Sequence, residues 1–357
     1  MANIMLTDSC NLHCPYCFAN EFVNHGTNEI SIENLKKAMS FIATVRGERL
    51  GLIGGEPTLH SKFKEILQII IADDRFSNVI LYTNGVKLDE FVKELSHPKF
   101  NIVWNCNNPT DMGKTEFERM CNNLELYINE FYMKEKIILG INIYQENFEY
   151  EYLLNLLKKY DFNSVRMSIV VPNTTEKRSF DVKGYFKSVK PKFKDFVYTM
   201  LSNDILPHYD CNKMPACLLT TEEIDAFKQM LVQKNKERAR SELPVIQMPY
   251  IDTAIYTEEV RCSPTIDIRQ DLTAIRCFGL SDCTKVKITD FKCLADLISY
   301  YLNEIDAYAY KLGISQDCIN CYRRKTMKCT GGCLAFKVKD ILELNQKVDT
   351  FASVRKK

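Results

Sequence analysis

The sequence predicts an α/β fold, in which a parallel array of strands and helices is followed by a cysteine-rich segment. Three observations lead there. Six short apolar runs alternate with amphipathic stretches through the first half of the chain. That alternation fades after about residue 173. Fifteen cysteines fall mostly into two groups, one at the extreme N-terminus and one after residue 260. Strand and helix signals in strict alternation argue for βαβ units and a parallel sheet. Six such repeats fit an open doubly wound sheet or an incomplete barrel, and either places ligands at the C-terminal ends of the strands.

The six strands are expected at 3–6, 50–53, 79–82, 102–104, 137–143 and 165–171. The first helix opens after Ser31, a good N-cap, and carries Leu35, Met39 and Ile42 on one face. Later helices align Phe63, Ile66, Leu67 and Ile70; then Phe117, Met120, Leu124 and Ile128; then Tyr152, Leu153, Leu156 and Leu157. Residues 172–194 are basic and polar and read as a loop leading into a helix. A long helix begins at Thr220, where Thr220-Thr221-Glu222-Glu223 has the form of a capping box, and runs to about Ser241. Its second half, Lys234-Asn235-Lys236-Glu237-Arg238, reads as a solvated face or a bridge. From about Ile251 the chain is short on secondary structure, as a domain held by metal would be. The expected divisions are 1–205, 206–250 and 251–357.

The chain has 357 residues, 46% apolar and 26% charged, with a net charge of +1. That balance gives no global reason to expect nucleic acid or a membrane as partner. The N-terminus lacks a basic region followed by a long apolar run, and Ile69-Ile70-Ile71-Ala72 is too short to span a bilayer. A soluble, cytoplasmic protein is expected. Fifteen cysteines is an odd count, which suits metal or cluster ligation better than a disulfide framework.

Cys10, Cys14 and Cys17 form C-x3-C-x2-C just after the first expected strand. Three thiolates on one loop can hold three corners of a four-iron cube and leave the fourth iron open. A zinc knuckle with His13 as fourth ligand is the plainer reading of the spacing alone. Further along, Gly54-Gly55-Glu56-Pro57 follows the second strand and Thr83-Asn84-Gly85 the third. Gly54 and Gly55 permit close backbone approach to a ligand. Their carbonyls can accept from an ammonium group, and Glu56 adds favourable charge. A tight turn with a surface acid is the bland alternative.

With an aromatic residue, Tyr16, directly before the third cysteine, these motifs in this order resemble the radical S-adenosylmethionine (SAM) superfamily. The resemblance implies a partial (β/α)6 TIM-type barrel, a [4Fe–4S] cluster on Cys10, Cys14 and Cys17, and SAM on the open iron. It further implies that Tyr16 lies beside the adenine, and that Gly54, Gly55, Glu56, Pro57 and Asn84 line the SAM site. Relatives often place a serine at the end of strand four and an arginine about twelve residues on. Asn105 fits the strand end here, Asn107 preserves the offset, and Arg119 follows. Tyr16 read alone is a packing residue, and Arg119 an exposed helix arginine.

In the second group, Cys262 and Cys277 flank a segment whose alternation predicts a hairpin turning at Gln270-Asp271. Cys318-x2-Cys321 and Cys329-x3-Cys333 follow. This resembles the SPASM extension, which holds one or two auxiliary iron–sulfur clusters in radical enzymes that modify peptides and proteins. Three departures stand out: Leu272 occupies a glycine position, the central block is two residues longer, and no cysteine follows Cys333. The resemblance groups Cys262, Cys277 and Cys333 at one cluster and Cys318, Cys321 and Cys329 at the other. Cys283, Cys293, Asp340 or Asp349 is available to fill a gap, or one cluster keeps an open iron. A zinc ribbon on Cys318, Cys321, Cys329 and Cys333 is the alternative. Cys106 and Cys121 read as packing residues, and Cys211 and Cys217 as structural residues, active-site lining or donors of a cluster ligand.

The resemblance implies an enzyme that makes a 5′-deoxyadenosyl radical and removes hydrogen from a substrate, most often a ribosomally made peptide. Thioether or carbon–carbon crosslinking, epimerisation, oxidation of a cysteine or serine, and small-molecule modification are all within its range. It also implies an electron donor such as flavodoxin or ferredoxin. With the cluster motif beginning at Cys10, a leader-binding module has no room before it, so a leader, if used, is expected to dock elsewhere on the chain or through a separate leader-binding protein. Two other classes compete: a non-catalytic iron–sulfur electron carrier and a zinc-binding module. The glycine–glutamate motif argues against the first, and the near-neutral charge against the second. Arg323-Arg324-Lys325 reads as a solvated loop.

Overall fold

The computed structural model describes residues 2–43, 47–170, 181–240, 262 and 265–337, without the side chains at 210, 216, 238, 282 and 283. Ten strands form one sheet in the order β10-β9-β8-β1-β2-β3-β4-β5-β6-β7. Strands β1 (Ala2–Met5), β2 (Glu48–Ile53), β3 (Phe76–Thr83), β4 (Phe100–Asn105), β5 (Ile137–Ile143), β6 (Ser164–Ile169) and β7 (Leu206–Cys211) are successive parallel neighbours. This is the partial TIM-type barrel, so the C-terminal strand ends share one rim.

Helices α1 (Ile32–Ile42), α2 (Phe63–Ala72), α3 (Lys114–Glu125) and α4 (Glu151–Lys159) cover the first strands. Their apolar stripes are the expected ones: Leu35, Met39, Ile42, Phe63, Ile66, Leu67, Ile70, Met120, Leu124, Leu153, Leu156 and Leu157 are buried. Ser31 caps α1, accepting from the Asn34 amide at 3.1 Å.

One element begins earlier than expected and another escaped the sequence reading. Helix α5 (Val182–Ser202) replaces part of the expected loop and contains Pro191. Its buried stripe of Phe186, Val189, Phe193, Phe196, Val197 and Met200 outweighs the proline and the lysines between. The seventh strand, Leu-Pro-His-Tyr-Asp-Cys, lacks an apolar run, and as an edge strand it tolerates Pro207. Helix α6 (Thr221–Arg240) follows, with its capping box intact. Thr220 Oγ1 accepts from the Glu223 amide at 3.2 Å, and Glu223 Oε2 accepts from the Thr220 amide at 2.9 Å.

On the other edge, β8 (Ile266–Ile268) pairs in parallel with β1 and turns antiparallel into β9 (Thr273–Ile275), the expected hairpin; β10 (Val286–Lys287) closes that edge. The sheet therefore runs across the expected divisions at 205/206 and 250/251. Leu272, at the glycine position of the SPASM pattern, has φ +63°. A left-handed non-glycine residue costs about 1–2 kcal/mol, and burying a leucine returns about 1.5–3 kcal/mol. Leu272 is 8% exposed, so burial offsets the strain.

The candidate SAM and iron–sulfur site

The loop after β1 carries Cys10, Cys14 and Cys17, all half-buried and unpaired. Its shape is set by short local bonds. The Cys17 amide donates to the Cys14 carbonyl at 3.1 Å, the Leu12 amide reaches Cys10 Sγ at 3.4 Å, and the Cys10 amide donates to Asn24 Oδ1 at 2.8 Å. Burial, with the Cys17 thiol adding to it, pushes Cys14 up to about 11; burial pushes Cys10 up to about 12, although the Leu12 amide opposes it. Three crowded thiols resist ionising alone, and a cationic cluster reverses that preference.

The glycine–glutamate turn presses directly on this loop. The Gly55 amide donates to the Thr7 carbonyl and the Glu56 amide to the Ser9 carbonyl, both at 2.8 Å. A Cβ on Gly54 would come within 2.9 Å of Thr7 O, and one on Gly55 within 2.3 Å of Ser9 O. The glycines are thus required first by backbone against backbone. Pro57 starts the helical turn Pro57–Leu59, and is buried.

Glu56 is turned inward. Its Oε1 accepts from Thr58 Oγ1 and Thr83 Oγ1, both at 2.8 Å, and from the Thr58 amide at 3.3 Å; its Oε2 accepts from the Asn84 amide at 2.8 Å. The carboxylate joins the end of β2 to the end of β3, instead of offering an open charge. Burial pushes its pKa up and those donors pull against it. Asn84 Nδ2 then reaches Asn11 Oδ1 at 2.9 Å, completing the path back to the cysteine loop. Gly85, at φ +80°, lies so close to Trp104 that a Cβ would meet its Nε1 at 2.0 Å.

Asn107, rather than Asn105, meets the cysteines. Its Nδ2 donates to Cys14 Sγ at 3.4 Å, and the Tyr16 hydroxyl donates to its Oδ1. Asn105 instead accepts from Arg166 Nη1 at 3.2 Å, as does Asn142 at 3.3 Å. Arg119 is exposed on α3 and is not among the residues lining the cleft beside Tyr16. That cleft lies where β4 and β5 end, between Tyr16, Asn108, Asp111, Asn142, Tyr144 and Glu149. Tyr144 packs on Tyr16 with ring centroids 4.6 Å apart and donates to Asp111 Oδ2 at 2.6 Å. Tyr144, Asp111 and buried Arg166 escaped the sequence reading, because isolated residues at strand ends carry no local pattern.

The C-terminal hairpin buttresses the cysteine loop. Gln270 Nε2, in its turn, donates to buried Asp8 Oδ1 at 2.6 Å, and Asn28 holds the other oxygen at 2.6 Å. Phe278 packs against Phe18 and Phe22, at 5.2 and 5.8 Å between centroids. Beyond it, Cys262, Cys277 and Cys333 lie within mutual electrostatic reach, and Cys318, Cys321 and Cys329 form a second neighbourhood. Arg276 donates to Cys262 Sγ at 3.6 Å while its guanidinium is held by Asp306 at 2.8 and 2.9 Å, both side chains fully buried. The Gly331 amide donates to Cys329 Sγ at 3.2 Å. Cys106 is buried and Cys121 half-buried beside it. Cys293 precedes the helix Leu294–Tyr300. The side chain of Cys283, like Asp340 and Asp349, lies outside the described residues.

Among the described residues, no three donors converge closely enough for a single metal ion. A tetrahedral zinc would hold its thiolates about 3.8 Å apart, given its Zn–S bond of about 2.3 Å. A four-metal cube binds each thiolate at a different corner and needs wider spacing. Three half-buried thiols on one loop are a donor set suited to three corners of a four-iron cluster.

Residues 4–127 match the model of the Radical SAM superfamily. The chain carries a radical SAM domain. The 7,8-dihydro-6-hydroxymethylpterin dimethyltransferase of Methanocaldococcus jannaschii is 34% identical over 111 residues, covering 29% of this chain and 21% of that protein. The chain spans under half the length of the curated relatives it matches. Two solved structures share the fold across both parts of the molecule. Streptococcus suis SuiB bound to S-adenosylmethionine has a TM-score of 0.60 at 15% identity, covering 95% of this chain and 73% of SuiB. Native anSMEcpe with AdoMet and the Cp18Cys peptide has a TM-score of 0.62 at 18% identity, covering 95% and 90%. The likeness to these two structures extends over nearly the whole chain, beyond the matched domain. A [4Fe–4S] cluster and SAM belong to such a domain, and Cys10, Cys14 and Cys17 are the donor set here that fits the cluster. No helix among the described residues is long and apolar enough to cross a membrane.

Proposed function

We propose that this protein is a radical SAM enzyme that removes a hydrogen atom from a peptide substrate. The observation that carries the reading is the three-cysteine loop, bonded to the ends of β2 and β3 and opening beside Tyr16 and Tyr144. Cys10, Cys14 and Cys17 would hold the cluster through three of its irons and leave one free for SAM. When bound, the cluster and SAM supply reductive cleavage of the S–C5′ bond, giving a 5′-deoxyadenosyl radical. The residues of this chain position and enclose those groups. Gly54, Gly55 and Pro57 bring the strand-end turn against the loop, and Glu56 fixes that turn to Asn84. Tyr16 and Tyr144, packed at a tilt, offer an aromatic wall to the adenine, while Asn107 orients Tyr16 and steadies Cys14. Asn105, Asn142 and Arg166 line the interior between β4 and β6. Arg119 retains, at most, a role at the outer rim.

A peptide substrate is supported by the company the fold keeps, since SuiB is known bound to its precursor peptide and anSMEcpe bound to the Cp18Cys peptide. Crosslinking or epimerisation of a ribosomal peptide is the first reading. Oxidation of a peptide cysteine or serine is the second. Electrons come from a flavodoxin- or ferredoxin-type donor.

The test is anaerobic reconstitution followed by reductant and SAM. Wild type should release 5′-deoxyadenosine, and the Cys10/Cys14/Cys17→Ala protein should release none and lose about four irons. Nucleoside release by the triple variant would remove this site assignment. Candidate peptides deuterated at single positions then identify substrate and position, through deuterium in the released nucleoside.

A further inference from the structure

Two sulfurs of the N-terminal loop receive donors of different kinds. Cys10 is met by a backbone group, the Leu12 amide at 3.4 Å. Cys14 is met by a side chain, Asn107, whose Nδ2 donates to its Sγ at 3.4 Å. The backbone donor comes with the loop. The side-chain donor is brought from the end of β4, across 93 positions of sequence.

Asn107 is held from both sides. Before it, the Cys106 amide donates to the Gly140 carbonyl and the Cys106 carbonyl accepts from the Tyr152 hydroxyl, both at 2.9 Å. After it, Asn108 Oδ1 accepts from the Thr110 amide at 2.8 Å and caps the turn Pro109–Met112. Asn107 is 5% exposed, so its bond to sulfur lies away from water, where a hydrogen bond is electrostatically stronger.

The sense of the amide follows from its neighbours. A carboxamide presents donors at one end and an acceptor at the other. A sulfur bound to iron carries no proton and only accepts. The N–H end of Asn107 therefore faces Cys14, and Oδ1 needs a donor, which the Tyr16 hydroxyl supplies. The Tyr16 ring is itself held by Tyr144, 4.6 Å away between centroids, and Tyr144 is anchored on Asp111 at 2.6 Å.

We propose that Asn107 is a positioning residue that raises the reduction potential of the cluster on Cys10, Cys14 and Cys17, by donating an N–H to Cys14. The proposal rests on the radical SAM reading above. An N–H dipole aimed at a ligand sulfur favours the reduced, more negative cluster, so the bond makes the cluster easier to reduce. One electron enters from the donor, and no bond of the protein forms or breaks. Tyr16 contributes by keeping the amide in its donating sense.

The test is an anaerobic titration with dithionite, in which the one-electron-reduced cluster is followed by electron paramagnetic resonance. The N-terminal signal is the one that SAM alters and that the Cys10/Cys14/Cys17→Ala protein lacks. Asn107→Leu has a similar shape and no donor, and should move the midpoint to a more negative potential. Cys14 is also in reach of the Tyr16 hydroxyl, which is free to turn to it once Oδ1 is gone. The deciding comparison is therefore made without that hydroxyl. Tyr16→Phe/Asn107→Leu should lie further negative than Tyr16→Phe, with less cluster reduced at any fixed potential. Equal midpoints in these two variants, both fully loaded with iron, would overturn the proposal. A measurement on the wild type needs no variant to fold. With asparagine labelled by heavy nitrogen at the side chain, the reduced cluster should show magnetic coupling to that nitrogen, and its absence would equally overturn the proposal. A wild type with iron but no SAM-sensitive signal removes the radical SAM reading first, an outcome distinct from equal midpoints.

Discussion

At the scale of single residues, the motif that looks like a ligand pocket is also a piece of framing. Gly55 faces backbone, with only 2.3 Å between a would-be Cβ and Ser9 O. Gly55→Ala should therefore displace the cysteine loop: the purified protein is expected to lose about four irons while the auxiliary absorbance remains, as read by iron analysis. Glu56 accepts four hydrogen bonds in a fully buried position. Glu56→Gln replaces one acceptor oxygen with an N–H facing donors, and should cost roughly 2–4 kcal/mol in denaturant unfolding. An unchanged midpoint would show that the carboxylate frames nothing.

At the scale of elements, α6 is tied down at its start. Burial raises the Glu223 pKa, but bonds from Lys190, Lys194 and the Thr220 amide prevail and hold it at about 2. A carboxylate depressed on folding stabilises above its unfolded pKa, near 4.5, and that contribution fades as pH falls from there toward 2. Glu223→Gln should cost about 1 kcal/mol at pH 7, after allowing for screening of a partly exposed group. The difference from wild type should shrink steadily below pH 4.5, as followed by thermal melts across pH. A constant difference down to pH 2 would rule out the ion pairs as its source. Helix α5 shows the opposite case, an element whose local signals point away from helix. Pro191 and the lysines are overruled because eight side chains on one stripe are buried together.

At the scale of the whole molecule, one sheet carries both cysteine regions, and the two are bonded to each other. Gln270 and Asp8 meet across 262 positions of sequence at 2.6 Å. Gln270→Ala leaves the Asp8 carboxylate with one donor fewer in a buried place, and should cost roughly 1–3 kcal/mol. It should also speed iron loss from the N-terminal site under chelation, although residue 270 touches none of its ligands. Equal loss rates in variant and wild type would mean that the two regions hold their clusters independently.

The first six strands, their helices, the caps at Ser31 and Thr220, and the 266–275 hairpin were legible because each rests on periodicity or on spacing within a dozen residues. So were the three-cysteine loop and the glycine–glutamate motif, whose residue types are set by local chemistry. The inward turn of Glu56, the preference for Asn107 over Asn105, the Tyr144 wall and the Arg166 contacts were not. Each depends on which strand ends become neighbours, and a sequence window carries no such information. Local pattern follows from the chain's own stereochemistry and needs no partner. A site assembled from residues far apart in sequence depends on long-range packing, and exists only once the sheet has brought its strand ends together.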